Sequence, residues 1–331
     1  MTKRILNRAL ALLPILFLGG CQSLLHDQLK ECPREIEVSL YTQTDCDAAR
    51  TYPSDVKSVL LIAYNEKGEA VATQTHEGPI SAETKVRMTV PAGESVRVAA
   101  WSGLYKDYFA LTPNAKLSEQ FVQLKAGQDL KDQRIRQGIS REVALKPLNE
   151  EGANEVTSVE VNLLELTNRI KVHIIGLEDP DKISVEVVSA NDRYSAEGKM
   201  LGNNEATPYP YPTTITTKAN TFVGPVEPGC EPGYDGELTA ELTTLLLRSG
   251  HNSWVTMRKA GQEPPFFRSN LIGLLMSAAK DGADINLYCD HDFTVELKVR
   301  RCPNCSEGYQ VAWVKINNWQ VHSYDTELAP L

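Results

Sequence analysis

Short stretches in which apolar and polar residues alternate dominate the chain, and they predict β-strands. Ile36, Val38 and Leu40 alternate with polar neighbours, which is the period of two of a half-buried strand. The β-rich run Val56–Tyr64 leads into the turn residues Asn65–Gly68, and together they give a hairpin signal. The same reasoning predicts strands at 70–73, 86–90, 96–101, 141–148, 156–166, 170–174, 183–187, 293–299 and 310–316.

Three other segments have different patterns. The leucines of 238–246 have helical spacing, yet the threonines between them favour a strand, so this segment stays ambiguous. Asn270–Ala279 is the best helix candidate, and Asp129–Arg141 is charged with little to bury, which predicts an exposed connection. Many short strands separated by turns, with one or two helices, indicate an all-β protein built as a pair of sandwiches.

The N-terminus has the pattern of an export signal. Lys3, Arg4 and Arg8 precede the apolar run Ala9–Leu18, which is too short for a bilayer core that needs about 20 residues. The small residues before Cys21 give an ending that resembles the lipobox of bacterial lipoproteins. In that class residues 1–20 would be removed, and Cys21 would be lipidated on its sulfur and become the mature N-terminus. The alternative is an ordinary signal peptide with an incidental cysteine.

The net charge of the chain indicates which classes of binding partner are disfavoured. The net charge is −9, and residues 1–20 hold three basic residues and no acid, so the remainder carries −12. This balance argues against a nucleic-acid partner and against electrostatic docking on anionic lipid, which leaves acyl chains as the membrane anchor. We predict a polar tether at 21–33, an N-terminal domain at 34–150 and a C-terminal domain at 151–331, with the solvated segment 149–154 as the linker.

Six cysteines remain once Cys21 is assigned to lipid, and in an exported protein an even number suggests disulfides. Cys32 and Cys46 are close in sequence, and a bridge between them would restrict the unfolded chain by roughly 3 kcal/mol, but six cysteines allow 15 pairings and the pairing stays open. Cys302-Pro303-Asn304-Cys305 predicts a small disulfide loop; the alternative is a zinc site that adds Cys289 and His291. The disulfide candidates are Cys32, Cys46, Cys230, Cys289, Cys302 and Cys305.

Several short motifs follow one another in an order that resembles a known family. From the N-terminus they are Val59–Tyr64 with its turn, Val90-Pro91-Ala92-Gly93, Val98–Trp101, Leu166–Val172, Asn270-Leu271-Ile272, Tyr288-Cys289-Asp290 and Ile316–Val321. The family is the FimB-like fimbrial anchor lipoproteins of type V pili. Cys289 and Asn318 depart from its pattern, where a leucine and a glycine are expected, and the Cys302–Cys305 turn is an addition.

The resemblance implies two transthyretin-like β-sandwich domains in tandem. It also implies a non-enzymatic protein in the outer membrane, surface-exposed at the base of the fimbrium, with the shaft subunit (pilin) as partner. Pilins of such systems join by donating a strand into a neighbour, so main-chain hydrogen bonds supply affinity.

The residues themselves give little sign of catalysis. There is no GxSxG, HExxH or P-loop motif, and we predict no catalytic, cofactor or metal residue. His173 lies on a predicted strand and is interpreted as packed or exposed. The acids Asp281, Asp284, Asp290 and Asp292 lack the spacing of a calcium loop and are interpreted as solvated.

Tyr209 and Tyr211 form the one predicted exposed aromatic pair, which could stack on a sugar or seat a partner. Our first hypothesis is therefore a lipid-anchored fimbrial base subunit. The alternative is a surface glycan-binding lipoprotein of a nutrient-uptake system, and a secreted hydrolase is a third hypothesis that no motif supports.

Overall fold

The structure is a computed structural model that describes residues 32–104, 108–111, 116–125, 127–131, 133–148, 155–201, 209–221 and 233–323. Within these ranges the protein is mostly β, with several sheets and one short helix, which confirms the predicted all-β class. No helix of the described part has the length and apolarity that crossing a membrane requires. The strands are β1 (Arg34–Tyr41), β2 (Ser58–Asn65), β3 (Ala70–Glu77), β4 (Lys85–Val90), β5 (Ser95–Ser102), β6 (Phe109–Leu111), β7 (Phe121–Leu124), β8 (Arg136–Ile139), β9 (Val143–Ala144), β10 (Thr157–Asn162), β11 (Leu164–Glu165), β12 (Thr167–Leu177), β13 (Ile183–Ser189), β14 (Arg193–Ser195), β15 (Tyr209–Tyr211), β16 (Thr214–Lys218), β17 (Gly236–Leu245), β18 (Ser253–Lys259), β19 (Phe267–Asn270), β20 (Asp292–Arg301), β21 (Tyr309–Ile316) and β22 (Trp319–Ser323), and the helix is α1 (Leu271–Lys280).

Two sheets enclose the N-terminal core. One has the order β10-β1-β4, and the other has the order β11-β8-β5-β2-β3 with β9 beside β5. Ile36, Val38 and Leu40 are buried in the core between these sheets, as their alternation predicts. The hairpin of β2 and β3 is also confirmed, and its turn closes with a hydrogen bond from Gly68 N to Asn65 O of 2.9 Å.

The C-terminal core lies between a six-stranded sheet, β16-β17-β12-β20-β21-β22, and a four-stranded sheet, β15-β13-β18-β19. The ambiguous leucine-rich segment is strand β17, since its alternate leucines face this core. The predicted helix is α1. It begins after Asn270, whose side chain accepts a hydrogen bond from Gly273 N at 2.7 Å and so caps the first turn.

The predicted exposed connection at Asp129–Arg141 is wrong. Leu130 and Ile135 are buried, and β8 pairs with β5 inside the six-stranded N-terminal sheet. The charge that suggested exposure is neutralised in the fold, because buried Arg136 donates to both carboxylate oxygens of Asp55 at 3.1 Å. The two residues are 81 positions apart, so the segment alone does not show this partner.

One continuous segment joins the two parts of the molecule. β10 pairs in parallel with β1, β11 pairs with β8, and β12 then enters the centre of the C-terminal six-stranded sheet. Strand β14 also pairs with β7 of the N-terminal part. Strands from both sides of residue 150 thus share sheets. The predicted linker 149–154 lies outside the described residues, and the domain limits stay a prediction.

A disulfide joins the same two parts. Cys46, on the loop after β1, is bonded to Cys289, just before β20, with Cα atoms 6.2 Å apart. Of the pairings left open by the sequence, a Cys32–Cys46 bridge is not formed, because the fold places Cys46 against the loop 286–290. Cys32 is also in a disulfide, and Cys230 lies outside the described residues.

The predicted small disulfide loop is confirmed. Cys302 and Cys305 are bonded, with Cα atoms 5.3 Å apart, in the turn between β20 and β21. The zinc alternative needs these two thiols and that of Cys289 as free ligands. All three sulfur atoms are committed to disulfides, so this alternative is wrong.

Gly138 tests how tightly β8 packs against β10. A Cβ added there would overlap the carbonyl oxygen of Asn162. We expect Gly138→Ala to lower the free energy of unfolding by about 1–3 kcal/mol, the usual cost of overpacking. The matched change is Gly273→Ala on the exposed side of α1. This substitution should raise the free energy of unfolding by roughly 0.5–1 kcal/mol. Urea unfolding measures the free energy of unfolding of both variants. Equal changes in the two variants would contradict the close packing of Gly138 against β10.

The two described disulfides differ in what they restrain. Replacing Cys46 and Cys289 by serine should lower the free energy of unfolding by about 2–5 kcal/mol, because this bridge spans a sequence separation of 243. The corresponding double change at Cys302 and Cys305, with a separation of 3, should cost much less. Chemical denaturation of the oxidised proteins makes the comparison; equal losses would argue against this account.

Candidate functional site

A groove opens where the two C-terminal sheets end side by side. β22 pairs with β21 only over Trp313–Ile316, so in the described part of the chain Tyr309–Ala312 has no strand on that side. Across the opening lies β19, which is the last strand of the four-stranded sheet. Two sheet edges therefore face one groove, and unpaired edge strands are templates for further strands.

The groove has a volume of about 660 Å³ and is lined by both apolar and polar side chains. Phe266 packs edge-on against Tyr309 with ring centroids 5.4 Å apart, and α1 contributes Leu274 and Ser277. Such a groove, with an open strand edge, can accept an extended peptide whose alternate side chains are apolar. The apolar lining consists of Pro265, Phe266, Phe267, Leu274, Tyr309, Val311, Val314 and Val321.

The side chain of Tyr309, which lines the groove, is held in place by two contacts. Its hydroxyl accepts a hydrogen bond from Glu178 N at 3.1 Å, and the ammonium group of Lys259 lies 5.0 Å from its ring centroid. Burial raises the pKa of Tyr309, so the phenol stays neutral at physiological pH. A fixed aromatic wall suits the binding of a partner strand, because less conformational freedom is lost on contact.

His173 lies on the solvent-facing side of β12, between two carboxylates. Its Nε2 is 3.1 Å from Glu237 and its Nδ1 is 3.4 Å from Glu296. Lys218 lies 2.7 Å from the same Glu237, and this bond lowers the pKa of the Glu237 carboxyl. The arrangement is a half-exposed ion-pair network across neighbouring strands.

The predicted acidic residues do not converge. Asp292 forms a bidentate pair with Arg169, which lowers the pKa of Asp292, and Asp290 accepts a hydrogen bond from Asn286 N at 2.6 Å. Within the described residues no three His, Cys, Asp or Glu side chains are placed to hold a metal ion. These acids therefore act within local loop and strand contacts.

The aromatic pair is not the exposed platform that its sequence suggests. Tyr211 is only 3% exposed, and its hydroxyl donates to Asn191 O at 2.7 Å. Tyr209 is half-buried, donates to Lys125 O at 2.7 Å and packs edge-on against Tyr211. The exposure predicted for Tyr211 is wrong, because the Pro-rich segment pairs with β13 as strand β15 instead of standing out as a loop.

Sequence reasoning predicts a lipid site at Cys21 and does not predict the groove. Cys21 lies outside the described residues, so its lipidation stays a prediction. The groove residues come from loops and strands far apart in the chain, and their only sequence signals are the apolar Pro265–Phe267 and the alternation in β21. Neither signal shows that, within the described ranges, Tyr309–Ala312 of β21 has no strand on the groove side.

Comparison with known proteins gives a consistent answer. The family described as "Mfa2: Fimbrillin-A associated anchor proteins Mfa1 and Mfa2" matches residues 29–325. The minor fimbrium anchoring subunit Mfa2 of Porphyromonas gingivalis is 28% identical over 320 residues, which cover 94% of this chain and 92% of that protein.

Solved structures agree. The fimbrial anchor protein Mfa2 from Porphyromonas gingivalis has a TM-score of 0.70 at 26% identity, covering 88% of this chain and 100% of that one. A candidate adhesin from Bacteroides thetaiotaomicron shares the fold, with a TM-score of 0.66 at 19% identity and coverage of 88% and 98%. The resemblance seen in the ordered motifs is thus confirmed, and the chain belongs to the Mfa2 family of fimbrial anchor proteins.

Proposed function

We propose that this protein is a lipid-anchored, non-enzymatic base subunit that attaches a fimbrial shaft to the outer membrane at the cell surface. The observation that carries the proposal is the family match over residues 29–325, together with the anchoring subunit Mfa2 as a relative along nearly the full length. Cys21 is the lipid attachment site, and its acyl chains hold the protein at the bilayer. The two pairs of sheets correspond to tandem transthyretin-like sandwiches.

The partner is the shaft subunit, bound by strand exchange. The groove between β19 and β21 supports this step, because Tyr309–Ala312 lies beside apolar side chains and has no strand on the groove side among the residues that the structure describes. A strand from the shaft subunit would pair with β21 along this edge and insert alternate side chains between the two sheets. The open edge would then be covered, which removes its tendency to pair with unrelated chains.

Lipidation is tested at Cys21 itself. We expect Cys21→Ala to abolish incorporation of a palmitate analogue and to release the protein from the outer-membrane fraction, because no acyl chain is left to insert. Gln22→Ala changes the neighbouring residue and should leave both properties intact. Metabolic labelling with membrane fractionation is the measurement, and an unlabelled, soluble wild-type protein would point to an ordinary signal peptide.

Strand exchange is tested by filling the groove from α1. Ser277 is exposed and lines the groove, so Ser277→Trp should block strand entry without disturbing the core. We expect binding of the purified shaft subunit to weaken at least tenfold, measured by biolayer interferometry.

Met276→Trp is the matched control. Met276 is 45% exposed and adjacent on the helix, but it does not line the groove, so binding should stay at the wild-type level. Both variants should melt like the wild type. Full shaft binding by Ser277→Trp would show that the shaft is held elsewhere.

A further inference from the structure

A second cavity, of about 580 Å³, lies where the N-terminal and C-terminal parts meet. The loop after β1 lines one side, and the segments around β11, β14 and β17 line the others. A cavity of this size at the junction of two structural units is the usual setting for a small-molecule site. It is separate from the groove between β19 and β21 and shares no lining residue with it.

Arg248 is the one half-buried arginine of the cavity, and it has no carboxylate partner among the described residues. Its guanidinium donates to the carbonyl of Leu287 and stacks on Tyr288, 4.9 Å from the ring centroid. Burial lowers the pKa of Arg248, and no carboxylate in its surroundings opposes this effect. Because a guanidinium has five N–H donors in a planar fork, most of its capacity for a carboxylate is unused.

The carboxylates that line the cavity do not supply this partner. Glu165 is bonded to Arg169, and Glu197 lies 2.8 Å from Lys199 and 3.4 Å from Arg97. Both glutamates are neutralised by other cations, and Asp45, the third acid of the lining, forms no ion pair with Arg248. Among the described residues, the guanidinium of Arg248 therefore has no negatively charged partner.

Two histidines add hydrogen-bonding groups to the cavity. Nδ1 of His251 is buried and has no partner in the described part of the chain. Nδ1 of His291 lies 2.9 Å from the carbonyl oxygen of Thr167, so it carries the proton, and Nε2 is left as an acceptor. A ligand with several hydroxyl groups can satisfy both rings.

Tyr288 provides a flat aromatic surface at the cavity. It is 68% exposed, and Arg248 covers only one face of its ring. The neighbouring Cys46–Cys289 disulfide and a hydrogen bond from Tyr288 N to Asn286 Oδ1 of 2.9 Å hold this loop in place. An exposed, fixed aromatic ring is suited to stacking against the C–H face of a sugar ring, because both surfaces are apolar.

We propose that this cavity binds an acidic monosaccharide unit, a pyranose ring that carries a carboxylate. The carboxylate pairs with Arg248, the ring packs on the free face of Tyr288, and hydroxyl groups reach His251 and His291. A peptide with a free C-terminal carboxylate offers the same anion. The exposed aromatic surface and the unsatisfied histidine favour the sugar, since a peptide terminus supplies neither a flat C–H face nor a set of hydroxyls.

The test compares a sugar acid with its neutral ester on the purified mature protein. Isothermal titration with D-glucuronate, N-acetylneuraminate and methyl D-glucuronate should give at least tenfold tighter binding for an acid than for the ester. Arg248→Gln should remove that preference, and Arg248→Lys should restore part of it. Tyr288→Leu should weaken binding of both acid and ester, because it removes the surface on which the sugar packs and the ring on which Arg248 stacks.

Arg268→Gln is the matched control, because Arg268 also stacks on an aromatic ring, 4.9 Å from Trp254, but lies outside this cavity. It should leave the acid preference unchanged, and all variants should melt like the wild type.

Equal binding of acid and ester, no binding of any sugar, or a preference that survives Arg248→Gln would overturn the proposal. So would selective binding of a carboxylate-terminated peptide over its amide with no sugar binding. Shaft binding by Arg248→Gln should stay normal, so failure here and failure of the anchor function are separate results.

Discussion

The backbone pairing of Thr157–Leu177 is the constraint on which the rest of the structure depends. This segment supplies an outer strand to one N-terminal sheet, a short pair to the other, and a central strand to the C-terminal six-stranded sheet. Buried amide and carbonyl groups need hydrogen-bond partners, so the two parts cannot separate without exposing these ladders. The Cys46–Cys289 bridge closes the same junction from the opposite end of the sequence. Under the proposed anchor function, a load applied at the C-terminal groove would pass to the N-terminal part through these paired strands.

The parts of the fold that depend on neighbouring residues were predictable from sequence. Alternation identified β1, β4 and β20, because a strand between a core and solvent must alternate. Asn270 marked the start of α1, since its side chain satisfies an amide that the helix leaves free. The Cys302–Cys305 loop followed in the same way from its spacing. In each case the structure-determining partner lies within a few positions in the chain.

The features that sequence reasoning missed depend on distant partners. Asp55 neutralises Arg136 from 81 positions away, and a segment that looked solvated is therefore a buried strand. Cys46 pairs across a separation of 243, and Tyr211 is buried because its segment pairs with β13. The groove is harder still to foresee, since it depends on β22 pairing with only part of β21 in the described part of the chain. Alternation shows which face of a strand is buried, but it does not show which edge remains open.

The net charge of the chain and the guanidinium of Arg248 in the junction cavity affect an acidic ligand over different distances. The chain without residues 1–20 carries −12, which disfavours an acidic ligand at long range. At physiological ionic strength this repulsion between exposed charges is screened beyond about 8 Å. Arg248 acts inside that distance, in a half-buried site where water weakens a charge pair less than it does on the surface. An acidic ring that reaches the cavity therefore meets one poorly solvated guanidinium, and this local interaction decides binding. Net charge affects how often such a ligand arrives, while the desolvated arginine determines which ligand stays.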